Sequence, residues 1–123
     1  MGWTGEELDA IGAATQVNLA SERADGTLRR PVAVWVVRAG DGLYVRAIHG
    51  PGASWYRGTR TRPAGRLWVP GRDEKAIRFA DPASGLDQSV DAAYREKYGN
   101  FGPTLELALT AAARAATLEL VPA

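Results

Sequence analysis

The feature that most constrains the fold is a succession of short apolar stretches separated by tight turns. Asp-Gly at positions 25–26 and Gly-Asp-Gly at positions 40–42 are hairpin signals, because these residues tolerate a positive φ. The apolar stretches around these turns cover residues 16–22, 31–38 and 43–48. The second of them is apolar on both faces, which is typical of a central strand. The pattern predicts three antiparallel strands in meander order.

The rest of the chain adds further strands and several helices. Periodicity and turn signals predict helices over residues 4–14, 54–62, 86–98 and 104–113, and strands over residues 65–69, 75–80 and 115–121. Thr4 and Glu7 form a capping box at the start of the first helix. We therefore expect one α+β domain over residues 1–123, a small antiparallel barrel of five to six strands with peripheral helices.

Composition excludes several classes of protein. The chain has no cysteine and a single histidine, so disulfides, thiolate nucleophiles and cysteine metal sites are excluded, and no metal site is expected. No apolar run reaches the roughly 18 to 20 residues of a membrane span, and the N-terminus lacks the order of a signal peptide. These observations predict a cytoplasmic protein with no membrane partner.

Charge is distributed unevenly along the sequence. Residues 21–72 contain ten arginines and three acids, a local balance of +7, whereas the remainder has a balance of −6 and the whole chain +1. Charges separated in this way predict one basic surface and an anionic partner.

One candidate site is the glycine-containing loop of residues 50–52 and the helix that follows it. A loop that runs into a helix N-terminus presents backbone N–H groups and the positive end of the helix dipole, which together attract anions. Ser54 is placed to cap this helix and to add a hydroxyl donor, and Arg57 adds a charge. A simple capped turn would give the same local pattern.

Arg29 and Arg30 stand immediately before the central strand, where folding requires no charge. Guanidinium groups bind phosphate or carboxylate bidentately, but neighbouring strand residues point to opposite faces, so we expect one of the two to bind. Trp55 and Tyr56 diverge by about 100° on a helix. They therefore cannot both be core residues, and one of them is expected to line a cavity or a subunit contact.

Two further side chains need an interpretation. Trp35, in the middle of the central strand, is expected in the core. His49 follows the third strand at the start of the glycine loop, which makes it a candidate proton donor, although a lone histidine is more often structural. No separated carboxylate pair suits glycosidase chemistry.

The segments ADGTLRRPVAVW and ASWYRG resemble the basic turn and the aromatic helix of flavin- and deazaflavin-binding oxidoreductases. Those proteins belong to the split β-barrel superfamily that includes pyridoxamine-phosphate oxidases and deazaflavin-dependent nitroreductases. The segments EELDAIGAA, GLYVRAIHG, DAAYREKYG and ATLELVP also resemble a family of small bacterial proteins known only as a domain of unknown function.

The first resemblance implies a split β-barrel, a homodimer, and flavin mononucleotide (FMN) or an 8-hydroxy-5-deazaflavin at the subunit junction. It implies that Arg29 or Arg30 meets the phosphate or acidic tail of the cofactor. It further implies that Ser54, Trp55 and Tyr56 cover the phosphate or the ring, with Arg57 assisting. The family's asparagine after the tryptophan is missing, since Trp55 is followed by Tyr56, Arg57 and Gly58, and Asp25-Gly26 replaces its Ser-Gly element.

The sequence leaves the function open between classes. The leading hypothesis is a flavin- or deazaflavin-dependent oxidoreductase acting on a small organic substrate, in which the cofactor supplies the hydride chemistry. The alternative is a cofactor-free binding module for an anionic small molecule on the same barrel. Nucleic-acid binding ranks below both, because a pI of about 8.1 is low for a basic nucleic-acid-binding domain.

Overall fold

The computed structural model describes residues 2–123, which contain one seven-stranded antiparallel sheet and five α-helices. The strands are β1 (Val17–Ser21), β2 (Val32–Val34), β3 (Val36–Ala39), β4 (Gly42–Arg46), β5 (Ala64–Trp68), β6 (Lys75–Ala80) and β7 (Thr117–Pro122). The helices are α1 (Gly5–Ala13), α2 (Ser54–Thr61), α3 (Asp87–Tyr98), α4 (Pro103–Ala108) and α5 (Ala111–Ala115). One turn of 3₁₀ helix (Gly99–Phe101) follows α3.

The sheet is a nearly closed barrel. Its strand order is β2-β1-β5-β6-β7-β4-β3, so the two edge strands are consecutive segments of the chain, separated only by Trp35. The predicted α+β barrel is confirmed, but the predicted number of five to six strands is wrong. The strand expected over residues 31–38 is divided, because Val34 pairs with Val17 whereas Val36 pairs with Val45. The chain changes partner at Trp35.

Local and distant strand pairs build the sheet together. The predicted antiparallel pairs of neighbouring strands are present as β1–β2 and β3–β4. The pairs β1–β5 and β4–β7 then join this first half of the chain to the β5–β6 hairpin and the last strand. The C-terminal strand thereby connects the two halves of the barrel.

Two apolar clusters hold the fold together. The first fills the barrel with fully buried aliphatic side chains, among them Val17, Leu19, Val36, Leu67 and Leu120. The second lies outside the barrel and includes Val37, Val90, Tyr94, Tyr98 and Ala108. The Tyr98 hydroxyl donates a hydrogen bond to the carbonyl of Thr15 at 2.6 Å, which fixes the end of α3 beside the barrel.

Helix boundaries differ from the prediction at two places. Ala53 is the N-cap of α2, and Ser54 is its first residue and makes no side-chain capping bond. The single helix predicted over residues 104–113 is two helices. Thr110 starts the second one, since its hydroxyl accepts a hydrogen bond from the backbone N–H of Ala113 at 3.1 Å.

Candidate functional site

Helix α2 contributes to two neighbouring concavities. The first, which we call the basic cleft, has a volume of about 310 Å³. It is lined by Arg29, Ser54, Arg57, Gly58 and Thr61. The second, which we call the aromatic cavity, has a volume of about 320 Å³, within the size range of small-molecule sites. It is lined by Gln16, Val32, Ala33, Val34, Trp35, Arg46, Ile48, His49, Ala53, Trp55 and Thr104.

In the basic cleft, Arg29 packs closely against the backbone of Gly58. A Cβ at position 58 would overlap the Arg29 side chain and would lie 2.7 Å from the Ser21 hydroxyl. The Arg29 Nε atom is buried and has no hydrogen-bond partner within residues 2–123. A buried donor without an acceptor is costly, so this guanidinium is suited to an anion that enters the cleft.

The positive N-terminal end of α2 has no compensating side chain on the helix itself. The helix has no side-chain capping bond and no acidic residue in its first turn. Its first backbone N–H groups and the positive end of its dipole are therefore not neutralised by a local carboxylate. Together with Arg29 and Arg57, this helix end favours binding of a phosphate or carboxylate group.

Two tryptophan rings form flat walls of the aromatic cavity. Trp35 and Trp55 are both half-buried and both line it. Trp35 stacks on Tyr98, with ring centroids 4.0 Å apart and planes inclined by 5°, so its orientation is fixed from behind. Trp35, expected in the core, is in fact a wall of the cavity, because the chain changes partner at this residue. A planar ring is the ligand shape that suits such walls.

Burial shifts the pKa values of two side chains behind Trp35. Burial raises the pKa of Tyr98 to about 12, although its hydrogen bond with the backbone of Val36 opposes the shift. Burial also lowers the pKa of Lys97 to about 8, while its Nζ donates to the carbonyl of Val36 at 2.5 Å. Both residues thus hold the backbone next to the strand break.

Arg46 forms part of the cavity wall and is 2% exposed. Its Nη1 lies 2.5 Å from Asp91 Oδ1, and the other oxygen of Asp91 binds Arg114 at 2.7 Å. Burial alone would raise the pKa of Asp91, but hydrogen bonds from Arg114 and Arg46 outweigh it and hold that pKa below its ordinary value. Asp91 is therefore ionised near neutral pH and balances part of the buried charge.

The structure distributes the predicted site residues as follows. Arg29, Ser54 and Arg57 meet in the basic cleft, although they are up to 28 positions apart in the sequence. His49, which is exposed, and Trp55 both line the aromatic cavity.

The other two predicted residues line neither space. Arg30 is exposed, whereas Tyr56 is 8% exposed and packs in the barrel core. The divergence predicted for adjacent helical aromatics is thus observed, with Trp55 in the cavity wall and Tyr56 in the core.

Sequence reasoning missed Arg46, Gly58 and the wall position of Trp35. The sequence contained one indication that Arg46 is a buried polar residue. It shares a strand face with Tyr44 and Ile48, and an arginine on such an apolar face must find buried partners. Gly58 had none, because a glycine inside a helix does not reveal which side chain approaches it.

Within residues 2–123, no group of three or more His, Cys, Asp or Glu side chains is arranged to hold a metal ion. None of the helices in the same residues combines the length and apolar character needed to cross a membrane.

Solved structures share this fold at low sequence identity. The chain is similar to the heme storage protein HutZ from Vibrio cholerae, with 15% identity and a TM-score of 0.67 over 100% of this chain and 92% of that one. An F420 reductase has 19% identity and a TM-score of 0.53, with 94% and 91% of the two chains covered. An FAD-binding protein from Mesorhizobium loti has 18% identity and a TM-score of 0.53, with 98% and 88% covered.

These likenesses show that the chain shares the split-barrel fold predicted from the sequence. No curated protein matches the sequence significantly. The family of uncharacterized proteins conserved in bacteria, DUF2255, matches residues 7–120, which is nearly the whole chain. The predicted resemblance to a bacterial domain of unknown function is therefore confirmed, and the chain belongs to the DUF2255 family.

Proposed function

We propose that this protein binds FMN or an 8-hydroxy-5-deazaflavin and acts as an oxidoreductase on a small organic substrate. In this proposal the anionic part of the cofactor occupies the basic cleft and its planar ring occupies the aromatic cavity. Three structurally similar proteins, described as a heme storage protein, an F420 reductase and an FAD-binding protein, support a cofactor of this general kind.

The observation that carries the proposal is that nearby residues of the same two segments line the cleft and the cavity. Ser54 lines the basic cleft, and its neighbour Trp55 lines the aromatic cavity. Likewise, Arg29 lines the cleft and Val32, three residues later, lines the cavity. A ligand that joins an anionic group to a planar ring would use both spaces at once, and FMN and deazaflavins have this form.

The residues present fit such a cofactor. Arg29, Arg57 and the N-terminus of α2 would hold the phosphate or acidic tail, and Trp35 and Trp55 would flank the ring. The cofactor supplies hydride transfer when it is bound. His49, at the exposed edge of the cavity, would donate a proton to the substrate.

A cofactor-free binding module is the second candidate. It is favoured by two departures from the flavin-binding pattern, the missing asparagine after Trp55 and Asp25-Gly26 in place of Ser-Gly. On this alternative the same cleft and cavity would hold an anionic aromatic metabolite, with no redox reaction.

Thermal unfolding with added ligands separates the two candidates. A ligand at about 100 times its dissociation constant adds roughly 2.7 kcal/mol, which raises the melting temperature of a domain this size by several degrees. The ligands to compare are FMN, the deazaflavin and haem, the last of which also gives a visible absorption band on binding. A shift with FMN or the deazaflavin supports the oxidoreductase. No shift with any of the three, together with a shift from another anionic metabolite, contradicts it.

Gly58→Ala is expected to weaken FMN binding by about tenfold. The added methyl group would displace the Arg29 side chain, and losing one charge-assisted hydrogen bond corresponds to a factor of about ten or more. Replacing a helical glycine by alanine gains up to about 1 kcal/mol of helix propensity, which offsets part of the crowding against Arg29 and the buried Ser21 hydroxyl. Fluorescence titration of FMN measures the effect.

Gly52→Ala is the matched control for this variant. It lies in the loop before α2, and a Cβ there meets no atom within 4 Å. Its affinity for FMN should equal that of the wild type. Wild-type affinity in Gly58→Ala would show that the Arg29 position does not matter for binding.

The proposal includes a homodimer, which the resemblance to the flavin-binding proteins implies, and a cytoplasmic location, which was predicted from the sequence pattern. Phe101 and Leu107 are 44% and 43% exposed, and they are the large apolar side chains that a subunit contact would cover. Analytical ultracentrifugation measures the oligomeric state, and a monomer at micromolar concentration would contradict the dimer.

A further inference from the structure

Lys97 lies in the last turn of α3, behind a wall of the aromatic cavity. It is half-buried, and its Nζ donates to the carbonyl of Val36 at 2.5 Å. The same nitrogen lies 5.2 Å from the centre of the Tyr98 ring, which stacks on Trp35. Because Trp35 lines the cavity, a single aromatic ring separates the Lys97 amine from the cavity wall.

The partner of the Lys97 amine is a neutral oxygen. None of the ion pairs among the described residues includes Lys97, and the Val36 carbonyl carries no net charge. A carboxylate would favour the ammonium form, whereas a carbonyl also accepts a hydrogen bond from a neutral amine. A neutral amine held in this way keeps its lone pair free to react.

Burial favours that neutral form, since it disfavours the ammonium charge and lowers the pKa of Lys97 to about 8. About one amine in ten is then neutral at pH 7, compared with about one in 2,500 at the ordinary lysine pKa of about 10.4. A desolvated neutral lysine is a nucleophile in protein chemistry.

Lys75, the other lysine of the chain, has the opposite surroundings. It is also half-buried, but its Nζ forms an ion pair with Glu7. The hydrogen bond from Lys75 lowers the pKa of Glu7 to about 2, so Glu7 is a carboxylate at neutral pH. Because both lysines are half-buried, their different partners distinguish them, and Lys75 serves as an internal control.

We propose that Lys97 is an acylation site, that its acyl donors are activated acyl groups such as acyl phosphates, and that acylation displaces the Trp35 wall. The neutral Nζ attacks the carbonyl carbon of the donor and forms an N–C bond. The bond from that carbon to the phosphate oxygen breaks, phosphate leaves with the electron pair, and the nitrogen loses a proton to water. The product is an uncharged amide that places an acyl group beside the Tyr98 ring.

Displacement of the wall follows from the contacts of the amine. Acylation removes the cation beside Tyr98 and adds bulk between α3 and the backbone of Val36. The Tyr98 ring and the Trp35 ring stacked on it would have to move. Acylation of Lys97 requires no particular ligand in the cavity, so it is independent of the proposed cofactor.

Acetyl phosphate is the probe for the site. The protein is treated near neutral pH, both folded and unfolded in concentrated urea, and peptide mass spectrometry follows the acetylation of each lysine. In the folded protein Lys97 is expected to react about tenfold faster than Lys75, because the larger neutral fraction outweighs the lower nucleophilicity of a less basic amine. In urea the two rates should be similar. Equal rates in the folded protein, or faster acetylation of Lys75, would overturn the proposal.

Near-ultraviolet circular dichroism tests the effect on the cavity wall, because it reports the packing of aromatic rings. The acetylated protein and Lys97→Gln, which is also uncharged, should change the spectrum in the same direction. Lys75→Gln is the matched control and should keep the wild-type spectrum. An unchanged spectrum after acetylation of Lys97 would refute the displacement of Trp35. If Lys97→Gln does not fold, the acetylated wild type decides, since it is modified after folding.

Discussion

Asp91→Ala is expected to lower the free energy of unfolding by about 3 to 5 kcal/mol, because it leaves the Arg46 guanidinium buried without its hydrogen-bonded counter-charge. Asp91 is 5% exposed, and its two oxygens accept three hydrogen bonds, at 2.5 Å from Arg46 and at 3.0 and 2.7 Å from Arg114. Urea unfolding at neutral pH measures the loss. A loss below about 1 kcal/mol would mean that Asp91 does not stabilise this charge cluster.

Asp81→Ala is the control for this variant. It removes an ion pair of similar length, with Arg60 Nη1 2.6 Å from Asp81 Oδ1, but both side chains are at least half exposed. Exposed ion pairs contribute about 0 to 1 kcal/mol, since water screens them and the side chains lose conformational freedom. The difference between the two variants therefore measures the effect of burial.

The difference in stability between the wild type and Asp91→Ala is expected to depend on pH. Because the pKa of Asp91 is lower in the folded protein than in the unfolded chain, its stabilising contribution is fully present above the ordinary aspartate pKa of about 3.9. It is lost as the pH falls through the lower, folded pKa. The stability difference between the wild type and Asp91→Ala should therefore shrink below about pH 4.

Arg29→Ala is expected to weaken FMN binding by about 10- to 100-fold. A hydrogen bond to a charged group contributes about 1.5 to 3 kcal/mol, and 1.4 kcal/mol is a factor of ten. The Nε of Arg29 is buried without a partner in the described part of the chain, so removing the side chain removes a donor that no other protein group uses. Equilibrium titration at fixed ionic strength measures the affinity, since added salt weakens such contacts.

Arg30→Ala provides the matched control. It removes an identical charge from the adjacent position, but Arg30 is exposed and is not among the residues that line the basic cleft. We expect a change in affinity of less than about twofold. Unchanged affinity in both Arg29→Ala and Arg57→Ala would reject the assignment of the cleft to the cofactor.

Much of the secondary structure followed from local patterns. The capping box of Thr4 and Glu7 is present, and each strand predicted in the first half lies within two residues of its observed bounds. These features depend on neighbours in the sequence, such as turn residues that tolerate a positive φ and side chains that reach the nearest backbone N–H. The interruption at Trp35 was not predictable in this way, because both halves of the strand are equally apolar.

The candidate site was also predictable from the sequence only in part. The sequence predicted an anion site from two arginines before the central strand and from the helix after the glycine loop. Three of the predicted residues, Arg29, Ser54 and Arg57, line one cleft. The sequence could not choose between Arg29 and Arg30, nor between Trp55 and Tyr56. Each choice depends on which face of a strand or helix the rest of the barrel covers.

The sequence by itself determined the fold class and the residue types that gather near α2, because turns, periodicity and charge are properties of short segments. Its resemblance to known proteins pointed to the family. Only the tertiary structure decided that Trp35 is a cavity wall, that Gly58 makes room for Arg29, and that Arg46 is buried with one nitrogen unpaired. The physical reason is that burial and hydrogen-bond partners arise from distant strand pairs, such as β4 with β7, whose paired residues are 71 to 77 positions apart. No local pattern encodes which distant groups will meet.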